Sequence, residues 1–104
     1  MRIDVLVDGL EVAMSGRLDG RSAAATREVL HQAIDTGHGD LIAHVDRVEI
    51  FDATGLGVIV GAHRRAVHAQ RRFVLVGVGS RQLRLLRASR LHRRLCVEPV
   101  LAGN

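Results

Sequence analysis

The chain has 104 residues and one cysteine, which suits a single domain, excludes a disulfide within it and indicates a reducing, cytoplasmic location. Hydrophobic residues make up 47% of the chain but only two residues are aromatic, so the base stacking that single-stranded nucleic-acid binders use is nearly excluded. The net charge is +4, and all fifteen basic residues are arginine. Arginine suits contacts with carboxylate or phosphate groups, but a genome-wide bias toward arginine codons is the simpler explanation.

The first part of the chain predicts a β-hairpin, a helix and a strand. Alternating runs at 3–7 and 12–16 flank a tight-turn signal, and acids within the first run argue against a signal peptide or membrane insertion. Ser22 is predicted to cap a helix that extends to about Thr36. The apolar run 41–45 predicts an interior strand covered on both sides.

A loop is predicted at 46–49, a second helix at 54–69 and a further strand at 73–77, introduced by Arg71 and Arg72 at its exposed start. The second helix is predicted to turn inward Leu56, Ile59, Val60, His63 and Val67. A third helix, capped by Ser80, and an edge strand ended by Pro99 complete the chain. In this helix Leu83, Leu86 and Ala88 are predicted to face inward, with Arg81, Arg84 and Arg87 as a basic ridge.

The order of these elements predicts the fold class. Two strands followed by alternating helices and strands indicate an α/β protein with one mixed sheet of four to five strands, packed by three to four helices through right-handed crossovers. Residues 1–104 form a single domain without repeats or linkers. Residues 63–104 hold ten arginines and one acid, but these arginines alternate with leucines at helical spacing. A partner-facing or solvated ridge is therefore expected rather than a nucleic-acid site.

The junction before the second helix draws attention to Thr54, a hydroxyl residue directly before a glycine. The simpler interpretation is a helix cap worth about 1 kcal/mol, which the local sequence favours. The functional interpretation is a phosphorylation site at the positive end of the helix. Gly57 and Gly61 each cost about 1 kcal/mol relative to alanine, which suggests close approach of a partner or tight packing on the sheet.

Other kinds of site have weaker signals. Asp19, Asp46 and Asp52 fall at predicted strand ends or loops and can line one pocket with Thr54, yet each is also a turn or capping residue. No carboxylate or histidine spacing specifies a reaction, so no enzyme activity is predicted. The histidines lack metal-ligand spacing and the chain lacks a Walker lysine, so no metal or cofactor is expected, and only weak nucleotide binding stays open.

The segment Asp52-Ala53-Thr54-Gly55-Leu56-Gly57 resembles the Asp-Ser-Ser/Thr-Gly-Leu-Gly segment of anti-sigma factor antagonists, the small bacterial STAS-domain proteins. Ser15-Gly16-Arg17-Leu18-Asp19 with Ser22-Ala23 is similar to the family's Gly-x-Leu-Asp loop and first helix. Residues 41–51 and 73–97 match its central strand and its final strand-helix-strand unit. The resemblance thus covers nearly the whole chain as one STAS-type domain.

The resemblance implies a non-enzymatic partner switch that regulates transcription. The unphosphorylated antagonist binds an anti-sigma factor kinase and frees the sigma factor, the kinase inactivates it by phosphorylating the residue before the glycine, here Thr54, and a phosphatase restores binding. The partner-binding residues that follow from the resemblance are Asp19, Asp52, Thr54, Gly55, Leu56, Gly57, Val58 and Gly61. A phosphate among Asp19, Asp46 and Asp52 is expected to repel them and alter the docking surface.

The chain departs from the family pattern at three places. Ala53 replaces the usual hydroxyl residue, which leaves Thr54 as the only acceptor in the segment, and Arg90 stands where the family often has glycine. The basic C-terminal ridge is unusual for a family that is often acidic, and it implies an acidic partner surface or a partner other than a kinase. The alternatives are an accessory subunit of a membrane lipid transporter, a phosphorylation-independent interaction module, and nucleic-acid binding by the arginine ridge.

Overall fold

The structure of the protein is a computed structural model, and it describes residues 1–88 and 96–99. Within these ranges the chain forms five strands and three helices. The strands are β1 (Arg2–Val7), β2 (Glu11–Leu18), β3 (Asp40–Phe51), β4 (Arg72–Val78) and β5 (Cys96–Pro99). The helices are α1 (Ala23–Thr36), α2 (Ala53–His68) and α3 (Ser80–Ala88). No helix of the described residues is long and apolar enough to cross a bilayer.

All five strands form one sheet in the order β1-β2-β3-β4-β5. β1 is antiparallel to β2 and the other neighbours are parallel, so the predicted mixed sheet, hairpin and final edge strand are confirmed. The hairpin turn depends on Gly9, whose φ of +69° suits glycine best. Because β2 to β5 follow one direction across the sheet, right-handed crossovers place all three helices on one face.

The apolar core lies between that face of the sheet and the helices. In β3 the buried residues Leu41, Ala43 and Val45 alternate with Ile42 and His44, which are only partly buried. The expectation that this strand is covered on both sides was therefore wrong, because the helices cover one side. The largest fully buried side chains of the core include Phe73, Met14, Leu18, Leu30, Ile34, Leu41, Ile59, Leu75 and Leu86.

The loop predicted at 46–49 is instead part of β3, which runs for 12 residues. β2 pairs with β3 from the Glu11↔Ile42 pair to the Leu18↔Phe51 pair, and two register shifts occur along the way. β4, by contrast, pairs with β3 only as far as His44. Within the described part of the chain, the second half of β3 thus has a paired strand on one side only, and its exposed polar residues give it the composition of a loop.

α2 packs against the sheet through smaller residues than its sequence suggests. In α2 the buried set is Gly55, Leu56, Val58, Ile59, Ala62 and Ala66. Val60 and His63 are only partly buried and Val67 is 57% exposed, which corrects the predicted inward face. The two fully buried alanines explain the shift, since small side chains bring the helix axis close to the sheet.

α3 follows the prediction in part. Leu86 is buried and Leu83 packs partly buried against the core, whereas Ala88 is exposed, contrary to expectation. The side chains of the basic ridge are exposed as predicted. Ser80 is the first residue of α3 rather than its cap. Arg90 lies outside the described residues.

Arg71 is a buried side chain that links three separate segments by hydrogen bonds, although the sequence predicted an exposed position. It is 4% exposed, and its guanidinium donates hydrogen bonds to carbonyl oxygens of Ala33 (3.0 Å), Ile34 (2.8 Å), Gly39 (2.9 Å) and Gly9. Burial lowers the pKa of Arg71. This one side chain joins the end of α1, the start of β3 and the β1–β2 turn, at the edge of the sheet opposite to the amino-terminal end of α2.

Candidate functional site

The carboxyl ends of β2 and β3 lie side by side at one edge of the sheet. Leu18 pairs with Phe51, and the amide N–H of Asp52 donates to the carbonyl of Leu18 at 3.4 Å. Asp19 and Asp52 are therefore the first residues after two neighbouring parallel strands. In open α/β sheets this edge is the usual place for a binding site.

Asp52, not Thr54, caps α2. Asp52 has extended backbone angles at the N-cap position, and its Oδ1 accepts a hydrogen bond of 2.8 Å from the amide N–H of Gly55. An acidic cap also suits the positive end of the helix dipole. The prediction that Thr54 caps this helix was wrong because the residue two positions earlier already fills that role.

Thr54 is the second residue of α2 and its side chain is exposed. Among the hydrogen bonds of the described residues, none involves its hydroxyl. The hydroxyl is therefore not needed for the helix start. It stands at the surface, where a modifying enzyme or a partner can reach it.

Gly55 is required by packing within the domain. A Cβ at this position would contact the carbonyl oxygen of Leu18 and would lie 3.0 Å from its Cγ. Glycine at position 55 thus lets the first turn of α2 pack directly against the end of β2. Leu56 and Val58, at 8% and 1% exposure, also face the core. The side chains of Leu56 and Val58 are therefore directed away from an outer surface, and Gly55 has no side chain, while the role of these three residues in partner binding stays a prediction.

Gly57 and Gly61 differ from Gly55, because a Cβ at either position would meet nothing within 4 Å. Packing on the sheet, one of the two explanations considered for them, therefore does not account for either glycine. At about 100° per residue, Thr54, Gly57 and Gly61 fall on one stripe of the helix together with Arg64 and His68. We call these five residues the Thr54 face. Near Thr54 this face has no charged residue, and the two glycines give it no side chains. Toward the end of α2 it carries the basic residues Arg64 and His68.

Asp19 is held by its own loop. Its Oδ1 accepts hydrogen bonds from the amides of Arg21 (3.0 Å) and Ser22 (3.3 Å). The hydroxyl of Ser22 accepts from the Asp19 amide at 3.1 Å and donates to the carbonyl of Arg17 at 2.8 Å. Ser22 stands at the N-cap position of α1 but makes no capping bond, so its predicted role is replaced by this loop role. The result is a fixed turn beside the start of α2.

Asp46 does not belong to this edge. It is an exposed residue in the middle of β3, six positions before Asp52, which places the two on the order of 20 Å apart at the usual strand rise. Its near neighbour is Gly77, where a Cβ would lie 2.8 Å from that of Asp46. The predicted group of three acids around Thr54 is therefore reduced to Asp19 and Asp52.

An exposed ion pair links α2 to α1. Arg65 donates from Nε and Nη2 to the two carboxylate oxygens of Asp35, at 2.9 and 2.6 Å. The hydrogen bond to Arg65 holds the pKa of Asp35 below its usual value, and the pKa of Arg65 is raised in turn.

Within residues 1–88 and 96–99 no group of three metal-ligating side chains comes together.

Comparisons with known proteins identify the family of the chain. A family model described as the STAS domain matches residues 3–102. The anti-sigma-B factor antagonist of Listeria monocytogenes serovar 1/2a is 31% identical over 80 residues, which cover 75% of this chain and 68% of that protein.

Two solved structures share the fold. An anti-sigma-factor antagonist (STAS) domain protein from Planctomyces limnophilus superposes with a TM-score of 0.79 at 13% identity, over 95% of this chain and 91% of that one. The phosphorylated form of the Bacillus cell fate determinant SpoIIAA gives a TM-score of 0.71 at 17% identity, over 97% and 91% of the two chains. At these identities the structures establish the fold alone.

Proposed function

Since the chain belongs to the STAS domain family, and within it to the anti-sigma factor antagonists, we propose that it binds an anti-sigma factor and that phosphorylation of Thr54 ends this binding. The binding surface is the Thr54 face of α2 together with Asp19 and Asp52. The partner is a kinase that both binds this surface and phosphorylates it, and a phosphatase reverses the modification. The observation that carries the proposal is the exposed Thr54 hydroxyl on a helix that Asp52 already caps.

The shape of the Thr54 face supports docking of a partner. Gly57 and Gly61 leave the backbone of α2 bare over one turn, and nothing within the described part of the chain fills the space above them. A partner side chain can therefore reach the helix backbone directly beside Thr54. Each glycine costs about 1 kcal/mol of helix propensity, a loss that a function at this surface would explain.

The electrostatics support a switch that leaves the fold intact. A phosphate on Thr54 would carry about −1.5 to −2 charges at the positive end of α2, where the dipole favours an anion by about 0.3–1 kcal/mol. Repulsion from the Asp52 carboxylate at the same helix end would oppose this gain by a term on the order of 1 kcal/mol in water. These terms nearly cancel within the domain. The main effect of phosphorylation is therefore on partner binding, because a bulky dianion replaces a neutral hydroxyl at the docking surface.

The test is phosphorylation by the cognate anti-sigma factor kinase with ATP, followed by peptide mass spectrometry. Thr36 provides a matched control, because it is also an exposed threonine on a helix. Phosphate is expected on Thr54 in the wild type and in Thr36→Ala, and none in Thr54→Ala. Full transfer to Thr54→Ala would refute the site.

Binding is tested separately by calorimetry with the kinase held without ATP. Thr54→Glu is expected to weaken binding at least tenfold, while Thr54→Val, which keeps the size of the side chain, should bind within about threefold of the wild type. Equal binding by Thr54→Glu and wild type would indicate docking that does not depend on phosphorylation.

A further inference from the structure

A second concave site lies on the other side of the Asp19 turn, between β1, the end of β2 and the first half of α1. It is an open pocket of about 1020 Å³. We call it the α1 pocket. Its wall includes the apolar side chains of Ile3, Ala25 and Val29. Asp19 lines both this pocket and the proposed partner surface, but no other residue that lines the pocket belongs to that surface, so the partner switch does not account for the rest of the pocket.

The polar part of the α1 pocket carries excess positive charge. Arg17 and Arg21 line it together with a single acid, Asp19, whose carboxylate already accepts two backbone hydrogen bonds from its own turn. Nε of Arg17 lies 3.9 Å from this carboxylate and the Arg17 side chain is 64% exposed, so its guanidinium keeps donors for a ligand. Arginine forks match the oxygen geometry of carboxylates and phosphates.

The start of α1, which borders the pocket, adds to this preference. The N-cap position makes no side-chain hydrogen bond and the first turn contains no acid. The N–H groups of that turn therefore keep their capacity to donate, and the positive end of the helix dipole is compensated only in part, by the Asp19 carboxylate that accepts from the Arg21 and Ser22 amides just before α1. An anionic head group placed there meets both the helix end and the arginines.

Thr26 provides an independent sign of a missing ligand group. It lines the α1 pocket at only 1% exposure, and its Oγ1 makes no hydrogen bond within the described part of the chain. A buried hydroxyl without a partner costs roughly 1–3 kcal/mol, so such groups are usually satisfied by a ligand or an ordered water.

We propose that the α1 pocket binds a small amphipathic anion, with its head group at Arg17, Arg21 and the start of α1 and its apolar chain along Ile3, Ala25 and Val29. The combination of an apolar wall, two guanidiniums and an unpaired buried hydroxyl specifies this chemistry. A carboxylate or a phosphate monoester can supply the head group.

The test is a titration of the ¹⁵N-labelled protein followed by NMR. Octanoate and octyl phosphate are the probes. Octyl glucoside has the same chain with a neutral head, and acetate and inorganic phosphate have the head without the chain. Saturable shifts of the Ser22 to Thr26 amides and of the Arg17 and Arg21 Nε–H signals are expected with a Kd of about 1 mM or lower for one or both probes. The head-group and chain controls should bind at least tenfold more weakly.

Three variants separate the contributions. Arg17→Gln combined with Arg21→Gln should weaken probe binding at least tenfold, and Ala25→Leu should weaken it by filling the pocket. Thr26→Val should weaken binding without lowering the melting temperature. A fall in melting temperature for Thr26→Val would mean that a water or an internal partner already satisfies the hydroxyl, which would overturn that part of the argument.

Absence of saturation with both probes, or equal binding of octyl glucoside, would overturn the proposal. The readout requires no anti-sigma factor. Its outcome is therefore independent of the proposed partner switch.

Discussion

The three glycines of α2 yield the sharpest prediction, because they lie in one helix but in different environments. A Cβ at Gly55 would contact the Leu18 carbonyl, whereas a Cβ at Gly57 or Gly61 would meet nothing within 4 Å. Alanine at Gly57 or Gly61 should therefore gain helix propensity and stabilise the fold. Alanine at Gly55 should force the first turn of α2 away from β2.

The expected magnitudes follow from these contacts. Gly57→Ala and Gly61→Ala should each raise the free energy of unfolding by about 0.5–1 kcal/mol, or about 2–8 °C in melting temperature for a domain of this size. For Gly55→Ala, overpacking costs about 1–3 kcal/mol and exceeds the gain in propensity. The net effect is a loss of up to about 2 kcal/mol.

Urea unfolding followed by circular dichroism measures these changes, and calorimetry with the anti-sigma factor measures the functional side. Gly57→Ala and Gly61→Ala are expected to unfold at higher urea and to bind the partner more weakly. That combination would show that the glycines serve the docking surface rather than the fold. Destabilisation by Gly57→Ala, or a neutral Gly55→Ala, would refute the packing argument.

Three further predictions concern single contacts. Asp52→Ala should cost about 0.5–2 kcal/mol of stability through loss of the cap, with Asp52→Asn close to wild type in thermal unfolding, and an equal loss for both would contradict the capping role. Arg71→Leu should cost at least about 3 kcal/mol in urea unfolding because four carbonyls lose their donor, three of them in buried hydrogen bonds, so a loss below 1 kcal/mol would contradict its role as a link. The pKa of Asp35 is lower in the folded than in the unfolded protein, so its contribution to stability is present above the unfolded pKa and is lost as the pH falls through the folded one. Stability measured from pH 6 to pH 2 should fall less for Asp35→Asn than for wild type, and parallel curves would contradict the assignment.

Local patterns in the sequence were sufficient to predict most of the fold. Alternating apolar residues and turn signals predicted the hairpin, and the helical spacing predicted α1 and α2 to within a residue or two. The error at 46–49 has a different origin. The composition of that segment reflects exposure on a half-paired strand, and the pairing partner that makes it a strand is β2, about 30 positions earlier in the chain. A local window cannot contain that information.

The site was predicted less completely than the fold. The resemblance identified the edge that holds Asp19, Asp52 and Thr54, but residue types alone could not separate a glycine that touches β2 from two that touch nothing. Arg71 was missed for the same reason, since a buried arginine looks like its exposed neighbour Arg72 in the sequence. In both cases the distinction depends on contacts between distant parts of the chain.

The capping arrangement explains why one residue of the segment can be modified without damage to the helix. If Thr54 were the cap, its phosphorylation would change the hydrogen bond that starts α2 and would couple the modification to the stability of the fold. Asp52 makes that bond instead, through the Gly55 amide, so capping and modification fall on different residues. Gly55 in turn lets the first turn of α2 pack closely against β2, and under the proposed switch this contact would keep Thr54 in the same position before and after phosphorylation. Under the proposed switch, this edge would thus support a change of charge that alters partner affinity without unfolding the domain.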